Sequence, residues 1–154
     1  MHVLSVAAEV YPLVKTGGLA DVAGALPGAL RRLGVSVSTL VPGYAAVLAR
    51  LPKKAKALQT WPDLFGGKAR VVGAKVEGLD ILVLDAPHLF DRAGGAYGDA
   101  SGIDWPDNWR RFAAFSRAAA DAALGAVPGW RPDIVHCHDW QAALTLAYLR
   151  YHDG

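Results

Sequence analysis

The sequence predicts an α/β chain with a mostly parallel sheet, flanking helices and right-handed crossovers. Three observations predict it. Short apolar runs of strand length alternate with stretches of helical period along most of the chain. Glycine and proline punctuate the joins, and no repeat or low-complexity linker interrupts them. The length of 154 residues suits a single domain, which typically takes about 100–200 residues.

The first apolar run, His2–Ala8, is bounded by Glu9, Pro12 and the Gly17-Gly18 pair, and is expected to be a buried strand. Apolar side chains then recur at Leu19, Val22, Ala23, Leu26, Leu30 and Leu33, the period of a helix ending at Gly34. Pro27 lies inside that pattern and is expected to kink or restart the helix. Val35–Val41 is the next strand, stopped by Pro42 and Gly43. Tyr44–Arg50 fits a short helix, whereas Leu51–Phe65 carries Pro52 and Pro62 and reads as mostly irregular. Lys68–Val76 and Leu79–Leu84 are strands joined by a turn at Glu77-Gly78, and the more polar first one suits a sheet edge. His88–Asn108 is rich in Gly and Asp, holds Trp105 and is long for a connection, as functional or disordered segments are. Trp109–Leu124 is an Ala-rich helix with Asp107 or Asn108 as its cap. Asp133–His138 makes the last strand and Trp140–Tyr151 the last helix.

Composition narrows the function. Hydrophobic residues make up 53% and charged residues 19%, which is globular rather than disordered. The balance of 16 Lys+Arg against 14 Asp+Glu leaves +2, with the basic residues scattered, so no nucleic-acid partner is expected. A single cysteine, Cys137, excludes an internal disulfide framework. The apolar start lacks a basic n-region and meets Glu9 and Lys15 too soon for a signal peptide, so a cytoplasmic location is expected. No run approaches the ~18 apolar residues of a membrane span, and no membrane partner is expected.

In open parallel sheets a ligand sits beyond the carboxyl ends of the strands, near a topological switch point. Two segments with reactive side chains occupy such ends. The first is Glu9–Asp21, where Lys15-Thr-Gly-Gly18 leads into a helix. Paired glycines let backbone N–H groups approach an anion, the helix N-terminus adds its dipole, and Lys15 supplies a full charge. The lysine precedes the glycines, unlike a Walker loop, and Gly17, Gly18 and Gly24 do not make a dinucleotide fingerprint. A tight turn with a solvated lysine and a phosphate cradle both fit. Asp21, in the first helical turn, fits a plain dipole partner. Glu9 sits where the strand opens into the cleft, or is a surface residue.

The second segment is His136-Cys-His-Asp139. Strand alternation puts His136 and His138 on one face and Cys137 on the other. A metal centre would need more ligands, and His2, His88 and His152 form no pair, so no metal is expected. Asp139 suits hydrogen bonding to sugar hydroxyls. Trp140, with Leu144 and Tyr148 on one helical row, is expected in the core. No base is apparent that would activate Cys137 as a nucleophile.

Lys15-Thr-Gly-Gly-Leu-Ala-Asp-Val22 with Gly24-Ala-Leu-Pro27 resembles the N-terminal signature of the bacterial glycogen synthase and plant starch synthase family. Asp133-Ile-Val-His-Cys-His-Asp-Trp140 is similar to its second signature, which usually has alanine where Cys137 stands. Tyr97 in Gly94-Gly-Ala-Tyr-Gly98, and Asp107-Asn108 before a helix, match as well, and the similarity runs from Met1 to the end. The resemblance implies the N-terminal half of a two-domain GT-B glycosyltransferase, each domain Rossmann-like, with residues 1–154 an incomplete N-terminal starch-synthase catalytic domain lacking the C-terminal nucleotide-binding domain. It implies glucose transfer from ADP-glucose to the non-reducing end of glycogen or another α-1,4-glucan, with retention and without a cofactor or metal. By the same resemblance Lys15 and Gly18 bind the diphosphate region, with Asp21 and His138 in the same site. Asp139 positions the transferred glucose, and Lys15 and Asp139 are the catalytic candidates. Tyr97 shapes the sugar-nucleotide pocket, and Glu9 is expected to touch donor or acceptor glucose.

The chain ends before the family's next histidine motif and second domain, so it is expected to be a fragment, inactive alone, with an exposed apolar face. A non-catalytic glucan-binding module is the alternative, separable by glycogen binding without ADP-glucose binding. A metal-dependent hydrolase on His136, His138 and Asp139 is a third reading, removed by a clean metal analysis.

Overall fold

The opening apolar run becomes β1 (His2–Val6), whose residues from Val3 onward are buried. The structure, a computed structural model, describes residues 1–151. Helix α1 (Gly18–Arg31) leads to β2 (Ser36–Pro42), which pairs in parallel with β1 from His2 opposite Ser36 to Val6 opposite Leu40. A short α2 (Ala45–Leu48) follows, then β3 (Lys56–Trp61), β4 (Ala69–Val76) and β5 (Leu79–Asp85). After the one-turn α3 (Pro87–Phe90) a long loop reaches α4 (Asn108–Asp121), and β6 (Ile134–Cys137) and α5 (Asp139–Arg150) complete the order.

The strands form one sheet in the order β3-β4-β5-β2-β1-β6. The β1–β2, β1–β6 and β2–β5 pairs are parallel, and β4 runs antiparallel to both β3 and β5. This is the Rossmann-like, mostly parallel sheet that the sequence predicts. From β1 the chain steps to β2 on one side and later returns to β6 on the other. The switch point therefore lies at the carboxyl ends of β1 and β6, where such folds hold their ligands. Leu4, Val6, Leu40, Val41, Ile81 and Leu84 fill the centre of the sheet, with Phe90, Phe112 and Phe115 packed from the helices.

Four expectations need correction. Leu51–Phe65 contains a regular strand, β3, that covers β4, so β4 is not the edge. Its residues are mostly half-exposed, and the apolar alternation that marks a buried strand is lost there. Helix α1 does not restart at Pro27, which lies buried inside one continuous helix. Asp107 precedes α4 but its side chain does not cap it, because both oxygens accept from Arg92, at 2.6 and 2.5 Å. Trp140 is 53% exposed and Leu144 47%, so their row of α5 is not core. Ile134, Leu146 and Tyr151 are exposed as well.

Among the described residues no helix is long and apolar enough to cross a membrane.

Candidate functional site

The loop after β1 is organised around one carboxylate. Glu9 is 2% exposed. Its Oε2 accepts from the backbone N–H groups of Thr16 and Gly17, and its Oε1 from the Thr16 hydroxyl at 2.7 Å. The Tyr97 hydroxyl donates to the same Oε1 at 2.5 Å, from a residue far along the chain. Burial pushes the Glu9 carboxyl up, but the bonds from the Thr16 and Tyr97 hydroxyls and the two backbone N–H groups together outweigh it and hold the group below its ordinary value. Burial and the Glu9 charge push the Tyr97 phenol well above its usual range, so it stays a proton donor. The four acceptor positions of Glu9 are thereby occupied within the protein. A direct contact from Glu9 to glucose would have to displace one of these donors.

Beyond Glu9 the loop turns Lys15, Thr16, Gly17 and Gly18 outward, and all four are exposed. Helix α1 begins with Gly17 as its N-cap and no side-chain cap bond, which leaves the N–H groups of its first turn without a capping side chain. A Cβ added at Gly17 or Gly18 would meet nothing within 4 Å, and neither has the left-handed φ that favours glycine. The fold itself therefore does not require glycine there. Gly24 differs: a Cβ would stand 2.5 Å from the Tyr11 carbonyl oxygen, so the packing of α1 against its own loop requires it. Lys15 Nζ donates to both oxygens of Asp21 at 2.7 Å, with the two side chains about half exposed.

At the end of β6, His136 and His138 share a face, their ring centroids 4.1 Å apart. His138 is buried, with Nε2 3.0 Å from the Ser5 hydroxyl. Burial, helped by His136, pushes its pKa down and keeps it neutral at pH 7. Asp139 follows with φ at 61°, a left-handed conformation that a short polar side chain tolerates better than most and that clusters at functional sites. Its Oδ1 accepts from the Trp140 N–H at 2.7 Å, and the carboxylate faces solvent. The Trp140 ring meets Phe112 edge-on at 5.1 Å, and Phe112 lies 5.8 Å from Tyr97. The two strand ends are thus tied together through this aromatic row. Cys137 is half-buried, and burial raises its thiol above the ordinary value, partly offset by Thr145.

The structure brings Glu9, Gly17 and Tyr97 into direct contact and pairs Lys15 with Asp21. Gly18 opens α1, while His138 and Asp139 cap the neighbouring strand β6. Thr16, Asn108 and Arg111 were not among the candidates. Arg111 leaves one signal in the sequence: it lies four residues before Phe115, on a row that is otherwise apolar. Among the described residues no group of three His, Cys, Asp or Glu is placed to hold a metal; His152 lies outside them. Three grooves of about 540, 610 and 500 Å³ are lined by other residues than Lys15, Glu9, Tyr97 and Asp139. The candidate site is an open wall.

The fold is an open α/β sheet with a lysine, paired glycines and the start of a helix at its switch point, the place where such sheets hold ligands. The model of the starch synthase catalytic domain matches residues 2–154. The chain belongs to the starch synthase catalytic domain family. It is 62% identical to a glycogen synthase of Mesorhizobium japonicum over 151 residues, 98% of this chain and 31% of the relative. A glycogen synthase of Novosphingobium aromaticivorans is also 62% identical, over the same shares. Among solved structures, the catalytic domain of starch synthase IV from Arabidopsis thaliana, bound to ADP and acarbose, aligns with a TM-score of 0.77 and 34% identity. That alignment covers 97% of this chain and 30% of the plant one. The chain spans about a third of the length of the curated relatives it matches.

Proposed function

We propose that this chain is the N-terminal donor-side wall of a glycogen synthase, which transfers glucose from ADP-glucose to the non-reducing end of an α-1,4-glucan with retention. The observation that carries the reading is the Lys15–Gly18 loop. Glycines with open space before them, at an uncapped helix start beside a lysine, suit a diphosphate that approaches the backbone closely. The relatives named glycogen synthase and the ADP bound by the plant neighbour support the same donor. Residues 1–154 then form the first part of a GT-B enzyme whose C-terminal nucleotide-binding domain closes over this wall.

In this reading Lys15 and the N–H groups of Gly18 and Leu19 receive the diphosphate. Asp21, which holds Lys15 in the free chain, gives it up to the ligand. Cleavage of the bond between glucose and ADP builds negative charge on the diphosphate and positive character on the glucose carbon. A preorganised cation and backbone dipoles stabilise the first. Asp139, held by its left-handed backbone at the end of β6, orients the glucose. Neutral His138 has Nε2 committed to Ser5, which leaves Nδ1 for the sugar. Tyr97 shapes the pocket through its ring while its hydroxyl serves Glu9. Closure of the second domain excludes water and favours transfer over hydrolysis.

The test is Lys15→Ala in the full-length polypeptide, with transfer of labelled glucose from ADP-glucose to glycogen as the assay. Loss of one such group costs about 3 kcal/mol of transition-state stabilisation, or ~100-fold in kcat/KM. An unchanged kcat/KM for ADP-glucose rejects the reading.

A further inference from the structure

We propose that Arg111 is a positioning residue for the donor loop, acting through Asn108, Tyr97 and Glu9 from beneath the site. The inference rests on the reading of Lys15–Gly18 as the donor loop. Arg111 is 1% exposed, and among the described residues it makes no ion pair with a carboxylate. A buried cation with no carboxylate in direct contact is costly, with Asp107 the nearest opposite charge and itself held by Arg92, and an apolar side chain would fill the same space more cheaply. Its donors account for its presence. Nε donates to the Leu89 carbonyl at 2.8 Å, and Nη1 to the Ala96 carbonyl at 3.0 Å and to Asn108 Oδ1 at 2.6 Å. The guanidinium lies 5.2 Å from the Phe90 ring centre and 5.4 Å from that of Phe112.

Two of those hydrogen bonds, to Ala96 and to Asn108, bear on Tyr97. Ala96 is its chain neighbour, and Asn108, oriented by Arg111, donates through Nδ2 to the Tyr97 carbonyl at 2.7 Å. The loop around Tyr97 closes on itself through a Gly98–Asp104 bridge, and the Tyr97 carbonyl also accepts from the Trp105 N–H at 2.9 Å, so the Arg111 and Asn108 bonds tie that turn to α4. With its backbone held on both sides, Tyr97 aims its hydroxyl at Glu9. Glu9 in turn holds Thr16 and Gly17. The links are in series: the guanidinium fixes the Tyr97 backbone, Tyr97 orients the carboxylate, and the carboxylate sets the loop. A lysine at this position keeps the charge but lacks the fork that reaches Leu89, Ala96 and Asn108 at once.

The test uses the full-length polypeptide and four variants: Lys15→Ala, Tyr97→Phe, Arg111→Lys and the Tyr97→Phe/Arg111→Lys double. Tyr97→Phe and Arg111→Lys are each expected to raise the KM for ADP-glucose about tenfold with little change in kcat, the size of one hydrogen bond to a charged group. Amide exchange at Thr16 and Gly17 is expected to quicken in both. Because the links are serial, the double variant is expected to be no worse than the more damaging of the two singles. Additive KM effects, or unchanged exchange at Thr16 and Gly17 in Tyr97→Phe, overturn the proposal. If Arg111→Lys does not fold, Asn108→Ala replaces it in the same cycle with the same expectations. An unchanged donor KM in Lys15→Ala rejects the donor reading instead, while the exchange data still decide whether the relay exists.

Discussion

Replacing Glu9 by glutamine tests the loop with almost no change of shape. The carboxylate accepts from two N–H groups through one oxygen and from two hydroxyls through the other. Glutamine can keep this geometry with its oxygen toward Thr16 and Gly17 N–H and its NH2 toward the Thr16 and Tyr97 hydroxyls, since a hydroxyl also accepts. The bonds survive and the charge is lost. A hydrogen bond to a charged group is worth about 1.5–3 kcal/mol against about 1 for a neutral one, so Glu9→Gln is expected to cost ~1–3 kcal/mol at pH 7. Glu9→Ala removes the acceptors altogether and is expected to cost more, about 3–5 kcal/mol. The pH dependence gives the sharper result. The folded Glu9 titrates below its ordinary 4.5, so its contribution is complete above pH 4.5 and is lost as pH falls through the lower folded value. Protonated Glu9 is close to glutamine in shape, so the stability difference between wild type and Glu9→Gln shrinks toward zero in acid. Urea unfolding of the chain followed by tryptophan fluorescence, repeated across that range, measures it. A difference that stays constant below pH 4.5, or a glutamine variant as unstable as the alanine one, refutes the assignment of Glu9 as the carboxylate that holds the loop.

Two glycines separate ligand demand from fold demand. Gly18→Ala, with open space before it, is expected to leave urea stability within about 0.5 kcal/mol while weakening ADP-glucose use by the full-length polypeptide; Gly24→Ala, 2.5 Å from a backbone oxygen, is expected to cost about 1–3 kcal/mol. The Cys137 thiol, raised by burial, is expected to alkylate more slowly at pH 8 than a free cysteine in a thiol-labelling time course. The 154-residue chain, spanning about a third of its relatives, is expected to show less than about a hundredth of the full-length transfer rate with labelled ADP-glucose, since one wall supplies neither the other side of the cleft nor its water exclusion.

The central strands were legible because β1, β2 and β5 are buried on both faces. His2–Val6 and Leu79–Asp85 appear as unbroken or nearly unbroken apolar runs, as strands covered on both sides do. β3 was missed for the opposite reason: at the sheet edge, with residues such as Lys56 and Thr60 exposed, it carries no periodic apolar signal. The site residues were legible one by one but their partnerships were not. Glu9 was visible as a carboxylate at a strand end, while its bond to Tyr97 depends on a loop path that no local spacing encodes. Trp140 was misread because the row it shares with Leu144 is apolar whether or not something covers it, and periodicity reports a face without naming its partner.

The open wall also explains why Lys15 is paired as it is. With side chains half exposed, the Lys15–Asp21 contact lies in a high-dielectric setting and contributes little stability, on the scale of the ~0–1 kcal/mol of surface pairs. A pairing that weak holds the ammonium near the loop and is readily exchanged. A diphosphate brings more negative charge than Asp21 and can also meet the N–H groups at the start of α1, which a carboxylate at Asp21 does not cap. In the proposed reading, a second domain covering the site would lower the local dielectric, and each of these attractions would strengthen as the leaving group gains charge. The loop does not itself move to achieve this, because Glu9 has fixed it beforehand. In the proposed reading, rigid donors on this wall and closure by a second domain would divide the work, so loss of the Glu9 clamp is expected to impair donor use by the full-length polypeptide.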